Sequence, residues 1–508
     1  MPNELAYTPA TEIASRIRRR DLSPVEAVDY FFDRIEKLNS PLNAFIIFWH
    51  EDARKRAKKA EQDVMNGKEL GPLHGVPMAI KDLFDFRKGF INTFGAKPFA
   101  NFVAPVSAAY VERFEEAGAI ILGKTNSPEF GHKGVTDNLL FGPTSTPFKI
   151  GKNAGGSSGG SASAVAAGLI PFAQGSDGGG SIRIPSAWCG TYGFKASFGR
   201  VPNVMRPNAF GSHTPYVHAG PITRNVEDAA LMLSVMTGNH ERDPFSIPDD
   251  PADYMAATKR SMKGMRIAYS PDWDIWPVDS EVAKIVAKAV QGFKDAGAKV
   301  EEVKLGITHD QYELAQIWRR QGGALYAPMV LGFKEQGIDL MGKHKKDIPP
   351  DMLNFIELGL KGTALQQAAD SAIRSEIFDA VQNVFEKYDF LVTPTLAAMP
   401  VDNATNGITL GPATINGVKM DRCIGWCMTF LINFTGHPAA SIPAGLSKDG
   451  LPVGMQIIGR RYDDAGVLAA SAAFERVRPW MHTYVNLEKS ILAASKPKSA
   501  KAKPKAKK

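Results

Sequence analysis

The sequence predicts an α/β fold, one large domain in which helices cover a sheet. One strongly capped helix and two helix-to-strand passages carry that prediction. Ser23-Pro24-Val25-Glu26 reads as a capping box with proline at the first helical position. It opens a helix whose Val28, Phe31, Phe32 and Ile35 share one face. The helix around Val111 and Phe114 stops at Gly118 and passes into the apolar strand Ala119-Ile120-Ile121-Leu122. Farther on, Val282, Ile285, Val286, Ala289, Val290 and Phe293 form an amphipathic stripe that ends at Gly297, before the strand Lys299-Val300-Glu301-Glu302-Val303.

Residues 243–252 are rich in proline and aspartate and read as a surface excursion. From about 306 to 387 the pattern is mostly helical, interrupted at Pro349-Pro350, and the strand Asp389-Phe390-Leu391-Val392-Thr393 follows. No internal repeat is evident. Residues 491–508 are expected to be a disordered lysine-rich tail, too polar to bury.

Composition narrows the function classes. The 508 residues, 44% hydrophobic and 22% charged, can build one very large core or two ordinary ones. The net charge of +7 is misleading, because seven lysines lie in 496–508 and leave 53 basic against 53 acidic residues in the body. A neutral body speaks against a nucleic-acid partner, and Arg18-Arg19-Arg20 and Arg54-Lys55-Arg56 read as solvated helix faces. The first six residues lack a basic n-region and an apolar h-region, and no apolar run of about 18 residues occurs, so a cytoplasmic protein without membrane association is expected. Cys189, Cys423 and Cys427 form neither an even framework nor a ligand set, which predicts free buried thiols in a reducing compartment. No histidine pair has metal-ligand spacing, and neither a metal nor another cofactor is expected.

Two glycine and serine tracts hold the chemistry: Gly155-Gly156-Ser157-Ser158-Gly159-Gly160-Ser161, then Ser176-Asp177-Gly178-Gly179-Gly180-Ser181-Ile182-Arg183. Upstream, the apolar run Val76-Pro77-Met78-Ala79-Ile80 ends abruptly on Lys81-Asp82. Two serines in glycine-rich turns, with a lysine at the end of a buried strand, are the parts of a serine hydrolase whose base is not histidine. A hydroxyl nucleophile needs backbone N–H groups aimed at the oxygen that becomes negative, and glycines let the main chain turn sharply and approach. Gly178, Gly179 and Gly180 immediately precede Ser181, so one short loop can supply nucleophile and oxyanion hole. The run from Ser161 to Ala167 reads as a helix of small residues whose N-terminal end points unpaired N–H groups toward Ser157. A lysine with a pKa near ~10.4 takes no proton at neutral pH, so Lys81 needs an apolar burial that disfavours its charged form.

Other readings of the same residues stand beside this one. Asp82 can pair with Lys81 and hold its proton on, and either tract alone can be a flexible loop. Gly155 and Gly160 match the GxxxxG of a phosphate-binding loop, but Ser161-Ala162 stand where that loop needs a lysine and a hydroxyl residue. The GxSxG elbow is missing around Ser181. Among ten histidines, His74, His213, His218 and His437 lie near glycine or proline turns, with no pattern that marks a catalytic one.

Taken together, the three elements resemble the amidase signature family, with its GGSSGG tract, its D-x-G-G-S-I-R tract and its upstream G-V-P-x-x-x-K-D strand; Ser157 and Ser181 lie 24 residues apart, as in that family. The segment from Gly123 to Phe130 resembles the family's GKTN-x-x-E-F, and that from Asn433 to Ala439 its N-x-T-G-x-P-A. Ser176 replaces a common threonine, and Lys195-Ala196-Ser197 the usual K-P-T. The resemblance implies a mixed β-sheet core between layers of α-helices, which matches the one domain expected over residues 1–490 with its signature core at about 71–215. Because Lys81, Ser157 and Ser181 all lie in the first 181 residues, the helical region at about 306–387 is a candidate for covering the site and shaping substrate access. The resemblance also implies a Ser-cisSer-Lys triad: Ser181 as nucleophile, Ser157 in a cis peptide as relay, Lys81 as base. Gly178, Gly179, Gly180 and Phe130 are the candidates for the oxyanion hole and substrate contacts. Phe130, Phe141, Trp318, Tyr326, Trp426 and Phe430 are candidate walls of an apolar pocket.

The expected function is an amidase that hydrolyses the C–N bond of a small aryl or alkyl carboxamide through a Ser181 acyl-enzyme, as a single chain or a homodimer. Two alternatives are a glutamine-hydrolysing amidotransferase subunit in a larger complex and a scaffold without catalysis. The neutral body speaks against the first, and intact Lys81, Ser157 and Ser181 against the second.

Overall fold

The structure, a computed structural model, describes residues 5–248, 252–405 and 407–495. An eleven-stranded mixed sheet forms its centre. In chain order the strands are β1 (Phe45–Phe48), β2 (Pro77–Lys81), β3 (Ile120–Thr125), β4 (Phe172–Asp177), β5 (Tyr192–Lys195), β6 (His218–Thr223), β7 (Arg266–Tyr269), β8 (Lys299–Glu302) and β9 (Phe390–Pro394). A separate hairpin, β10 (Thr414–Ile415) and β11 (Val418–Lys419), precedes β12 (Ala439–Leu446) and β13 (Pro452–Gly459). The sheet order is β1-β3-β2-β4-β6-β5-β12-β13-β9-β7-β8. Strand β2 runs parallel to both β3 and β4, and β7 parallel to β8 and β9; the remaining pairs are antiparallel.

The helices are α1 (Ala10–Arg18), α2 (Pro24–Leu42), α3 (His50–Met65), α4 (Ala109–Glu116), α5 (Gly159–Ala166), α6 (Arg183–Cys189), α7 (Val226–Met236) and α8 (Tyr254–Ala257). They continue with α9 (Ser280–Ala289), α10 (Gly292–Asp295), α11 (Gln311–Glu335), α12 (Pro350–Lys361), α13 (Ala364–Phe385), α14 (Leu431–Thr435), α15 (Asp464–Val477) and α16 (Leu487–Ser495). Helix α5 packs on β2, β3, β4 and β6, and α6 on β5, β12 and β13. Helices α7, α9 and α15 cover further strands, so the expected architecture of a mixed sheet flanked by helices is the one observed.

Local signals explain the elements. The capping box at α2 is made: Ser23 Oγ accepts the Val25 N–H at 2.9 Å, and Glu26 Oε2 accepts the Ser23 N–H at 3.0 Å. The face Val28, Phe31, Phe32 and Ile35 is buried. The apolar stripe from Val282 runs through α9 and α10, whose backbone stays right-handed helical across Val290 and Gln291 but tightens to three-residue turns there. Pro349 and Pro350 do not merely interrupt a helix: Pro350 takes the first position of α12 and Pro349 its cap.

One expectation changes. The domain does not end at 490, because α16 continues it: Ile491 is fully buried, Leu492 packs on the same core, and Arg34 and Lys37 hold Glu488 at 3.0 and 2.6 Å. Residues 496–508 lie outside the described residues. The stretch 243–252 runs at the surface where it is described, with Pro244 and Pro248 exposed, and is anchored by Asp243, which is buried and accepts the Asn203 N–H at 2.8 Å. Cys189, Cys423 and Cys427 are free and buried. No helix among the described residues is long and apolar enough to cross a membrane.

Candidate active site

Parallel pairing decides where the chemistry gathers. Met78 and Ala79 of β2 lie opposite Phe172 and Ala173 of β4, so the carboxyl ends of both strands emerge on one edge of the sheet. Lys81 is the last residue of β2, and Ser176-Asp177 the last two of β4. Ser157 stands two residues before α5 and Ser181 two before α6, helices that touch each other. Residues 76 positions apart thereby become neighbours: Lys81 Nζ donates to Ser157 Oγ at 2.6 Å and to Ser176 Oγ at 3.0 Å.

Lys81 is fully buried. Burial disfavours its ammonium and pulls the pKa down to about 7, against the opposing pull of Asp85 and Asp177. Asp82 does not pair with it. That carboxylate turns away to the Thr93 hydroxyl, the Thr93 N–H at 2.8 Å and the Gly95 N–H at 3.3 Å. The end of β2 is propped instead by Lys124, also buried, which donates to the Lys81 carbonyl at 3.1 Å, the Asp85 carbonyl at 2.5 Å and Asn92 Oδ1 at 2.7 Å. The Gly156–Ser157 peptide is cis.

The Ser181 loop is built around one carboxylate. Asp177 accepts the Gly180 N–H at 2.7 Å, the Ile182 N–H at 3.3 Å, Arg183 Nε and Nη2 at 3.0 Å each, and Asn433 Nδ2 at 2.9 Å. Burial alone would raise its pKa, but Arg183, with Lys195 and His218 beyond, holds the carboxyl well below the usual range. Arg183 in turn donates to Gln456 Oε1 and Asn433 Oδ1, both at 2.7 Å. Gly180 has φ +123°, and a Cβ there would fall 1.9 Å from Thr429 Oγ1, so only glycine fits. With Gly180 N–H committed to Asp177, the amides of Gly178, Gly179 and Ser181 are the ones in this loop without an acceptor among the described residues. Ser181 is 9 % exposed, and its hydroxyl is likewise free of a partner among the described residues. The first amides of α5, expected to be open, are taken: Gly159 N–H goes to Thr136 Oγ1 at 3.0 Å and Gly160 N–H to the Asn126 carbonyl at 3.2 Å, as buried backbone groups require.

The helical stretch reaches this loop from above. Trp318 of α11 donates its indole N–H to the Gly178 carbonyl at 2.8 Å, and its ring would lie 2.8 Å from a Cβ on Gly179. Tyr326, two turns on, donates to the Phe130 carbonyl at 2.6 Å. Phe130 is fully buried among Phe94, Phe99 and Phe333, and its N–H is held by the Phe94 carbonyl at 2.8 Å. Next to it, a Cβ on Gly131 would lie 3.1 Å from Ser157 Oγ. Of the six proposed pocket aromatics, Trp318 meets the Ser181 loop, and Phe130, held by Tyr326, stands next to Gly131 at Ser157. Trp426 stacks on Trp188 at 4.6 Å, Phe430 meets Trp276 edge-on, and the Phe141 carbonyl receives Asn43 Nδ2 at 2.8 Å.

Sequence reasoning left Lys124, Asp177, Arg183, Thr429 and Asn433 without roles. All but Thr429 lie inside a segment that resembled the family, which was the available signal, but the contacts of Thr429 and Asn433 with the Ser181 loop span 250 and 256 residues and have no local pattern. The histidines go elsewhere: His74 to the Ala60 carbonyl, His213 to the Phe210 carbonyl and His437 to Thr435 Oγ1. No group of three or more His, Cys, Asp and Glu side chains that could hold a metal ion occurs among the described residues.

Comparison with known proteins places this geometry. The model of the family Amidase matches residues 26–468. The chain is 37% identical over 481 residues to the acylamidase of Rhodococcus erythropolis, covering 94% of this chain and 96% of that one. It is 35% identical over 493 residues to a glutamyl-tRNA(Gln) amidotransferase subunit of Moorella thermoacetica, covering 93% and 97%. The crystal structure of a bacterial aryl acylamidase of the amidase signature enzymes superposes with a TM-score of 0.93 at 42% identity over 97% of this chain and 99% of that one. The 6-aminohexanoate cyclic dimer hydrolase gives a TM-score of 0.83 at 27% identity, covering 94% and 98%. The chain belongs to the amidase signature family.

Proposed function

We propose, for this member of the family, that Lys81, Ser157 and Ser181 form a proton relay that hydrolyses a carboxamide with an aryl or alkyl part to an acid and an amine or ammonia. One observation carries the reading: Lys81 Nζ lies 2.6 Å from Ser157 Oγ at a fully buried position that brings its pKa to about 7. A neutral amine is then accessible at physiological pH.

In the first step Ser181 Oγ attacks the carbonyl carbon while its proton passes to Ser157 and the Ser157 proton to Lys81. The oxygen that becomes negative is received by the N–H groups of Gly178, Gly179 and Ser181, the amides of the loop left open. Gly180 serves by shape, its N–H being occupied by Asp177. The proton returns through Ser157 to the leaving nitrogen, the C–N bond breaks, and an ester on Ser181 remains. Water repeats the attack with the same relay and frees the acid. Ser176 gives the Lys81 ammonium a second acceptor, which fixes its direction. Trp318 presents its indole above this loop, which favours an aryl or alkyl part over free glutamine. The buried free thiols support a reducing, cytoplasmic setting.

The test is product release by the purified protein from an anilide, an aryl acetamide, a long-chain primary amide, a linear oligoamide and glutamine, with Ser181→Ala as control. Cleavage of an aryl or alkyl amide that disappears in the variant is expected, with a loss of at least about 10³-fold. Turnover that survives in Ser181→Ala overturns the relay, and turnover of glutamine alone overturns the substrate class.

A further inference from the structure

Gln321 is a buried carboxamide with nothing to hold. Its side chain is 1 % exposed, and neither Oε1 nor Nε2 has a hydrogen-bond partner among the described residues. An apolar side chain of the same size would be more favourable there, so stability of the free protein gives no reason for a glutamine.

Its neighbours supply one. Trp318, Gln321 and Leu325 stand at i, i+3 and i+7 of α11 and share one face. At one end of this stripe Trp318 rests on Gly178 and Gly179. At the other, half-buried Leu325 comes within 3.4 Å of a Cβ built on Gly211, beside Met205 at 3.3 Å. The chain from Met205 returns to the site at Val217, whose Cγ2 would lie 3.6 Å from a Cβ on Gly178. Both ends of the stripe therefore touch segments that meet at Gly178 and Gly179, and Gln321 stands between them, one helical turn from Trp318, which contacts the loop that carries Ser181. No charge shares this face, for Arg319 turns to Asp421 at 2.9 Å and Arg320 to Asp370 at 2.6 Å.

We propose that Gln321 determines specificity: its carboxamide binds a neutral group that both donates and accepts, a hydroxyl or a second carboxamide, carried by the substrate away from the scissile bond. The proposal rests on the amidase reading above. Both ends of the Gln321 carboxamide are open, so the matching group offers a donor and an acceptor together, whereas a carboxylate or an ammonium meets no counter-charge on this face.

Paired substrates that differ only in such a group test it: 4-hydroxyacetanilide against 4-methylacetanilide for the amine side, and 4-hydroxybenzamide against 4-methylbenzamide for the acyl side. In one pair the wild-type enzyme is expected to favour the hydroxyl member in kcat/KM by about tenfold or more, and Gln321→Leu to bring that ratio to about one or below. A purely structural role would move both members alike and leave the ratio alone, so a ratio unchanged by the substitution, or no preference in either pair, overturns the proposal. Should Gln321→Leu fail to fold, Gln321→Met is used, and binding of the same four compounds is measured by calorimetry in Ser181→Ala with and without that substitution. Failure of the amidase reading looks different: no compound is turned over, and wild type equals Ser181→Ala. The calorimetric ratios then still decide Gln321, loss of the hydroxyl preference supporting the proposal and its absence overturning it.

Discussion

The loop that carries Ser181 and the helices α11 to α13 above it are held by different kinds of force. Beneath Ser181, a buried carboxylate and a buried guanidinium, Asp177 and Arg183, are satisfied by Asn433, Gln456 and the loop's own amides. Each partner there protects another from an uncompensated buried charge, so the arrangement is all or nothing. The helices above meet it through Trp318 on Gly178 and Tyr326 on Phe130, neutral bonds embedded in aromatic packing. Contacts of that kind can be exchanged one at a time. The comparison teaches that the Ser181 loop is held by a paired buried charge, and its contact with the helices above by neutral bonds and aromatic packing.

The deepest way to break the comparison is to remove the charge that the lower region exists to tune. Lys81→Met is expected to lower kcat by about 10²–10⁴-fold. In the wild type, activity should rise with pH through about 7 and then level off, because the base works only when neutral. Stability should move the other way. Since the folded pKa of Lys81 lies below the ~10.4 of an unfolded lysine, the folded state binds fewer protons between those values, and its burial costs stability that is regained as pH rises. Lys81→Met should therefore raise the melting temperature at pH 6 and lose that advantage by pH 10, which thermal unfolding at the two values checks. A variant that is inactive and also less stable at pH 6 would sink the assignment of a neutralised lysine.

A smaller change probes the seam between the two regions. In Gly179→Ala the new methyl would stand 2.8 Å from the Trp318 ring, so the indole must retreat and its bond to Gly178 weaken. A fall of about 10–100-fold in kcat/KM is expected, with partial recovery in the double variant Gly179→Ala and Trp318→Leu. Additive losses in that cycle would show that the two residues do not act together.

The smallest effect belongs to the upper region alone. Tyr326→Phe leaves the buried Phe130 carbonyl without its donor, at a cost of about 1–3 kcal/mol in stability. It should leave kcat within a few-fold of wild type. A loss of kcat as large as that of Gly179→Ala would mean that Tyr326 reaches the reacting atoms and that the division between regions is wrong.

Much of the lower region was legible in the chain because its signals are short. The tract from Ser176 to Arg183 contains the proposed nucleophile, the open amides and both partners of the ion pair within eight residues, and the capping box at Ser23 needs only four. The upper region was legible as helices but not as contacts. Trp318 and Tyr326 were named among six aromatics of equal standing, and nothing local separates them from Trp426 or Phe430, which went to the core. Gln321 carried no signal at all, since a glutamine on a helix is ordinary until its surroundings prove to be closed.

By itself the sequence determined the α/β class and the order in which the proposed reactive groups arrive, because turns, caps and strand ends are written in neighbouring residues. Tertiary structure alone decided that Lys81 is buried with a lowered pKa and not paired with Asp82, that Gly180 gives its amide to Asp177, and that Trp318 rests on the Ser181 loop. Those outcomes depend on desolvation and on contacts between segments tens to hundreds of residues apart, and neither quantity exists until the chain has closed around them.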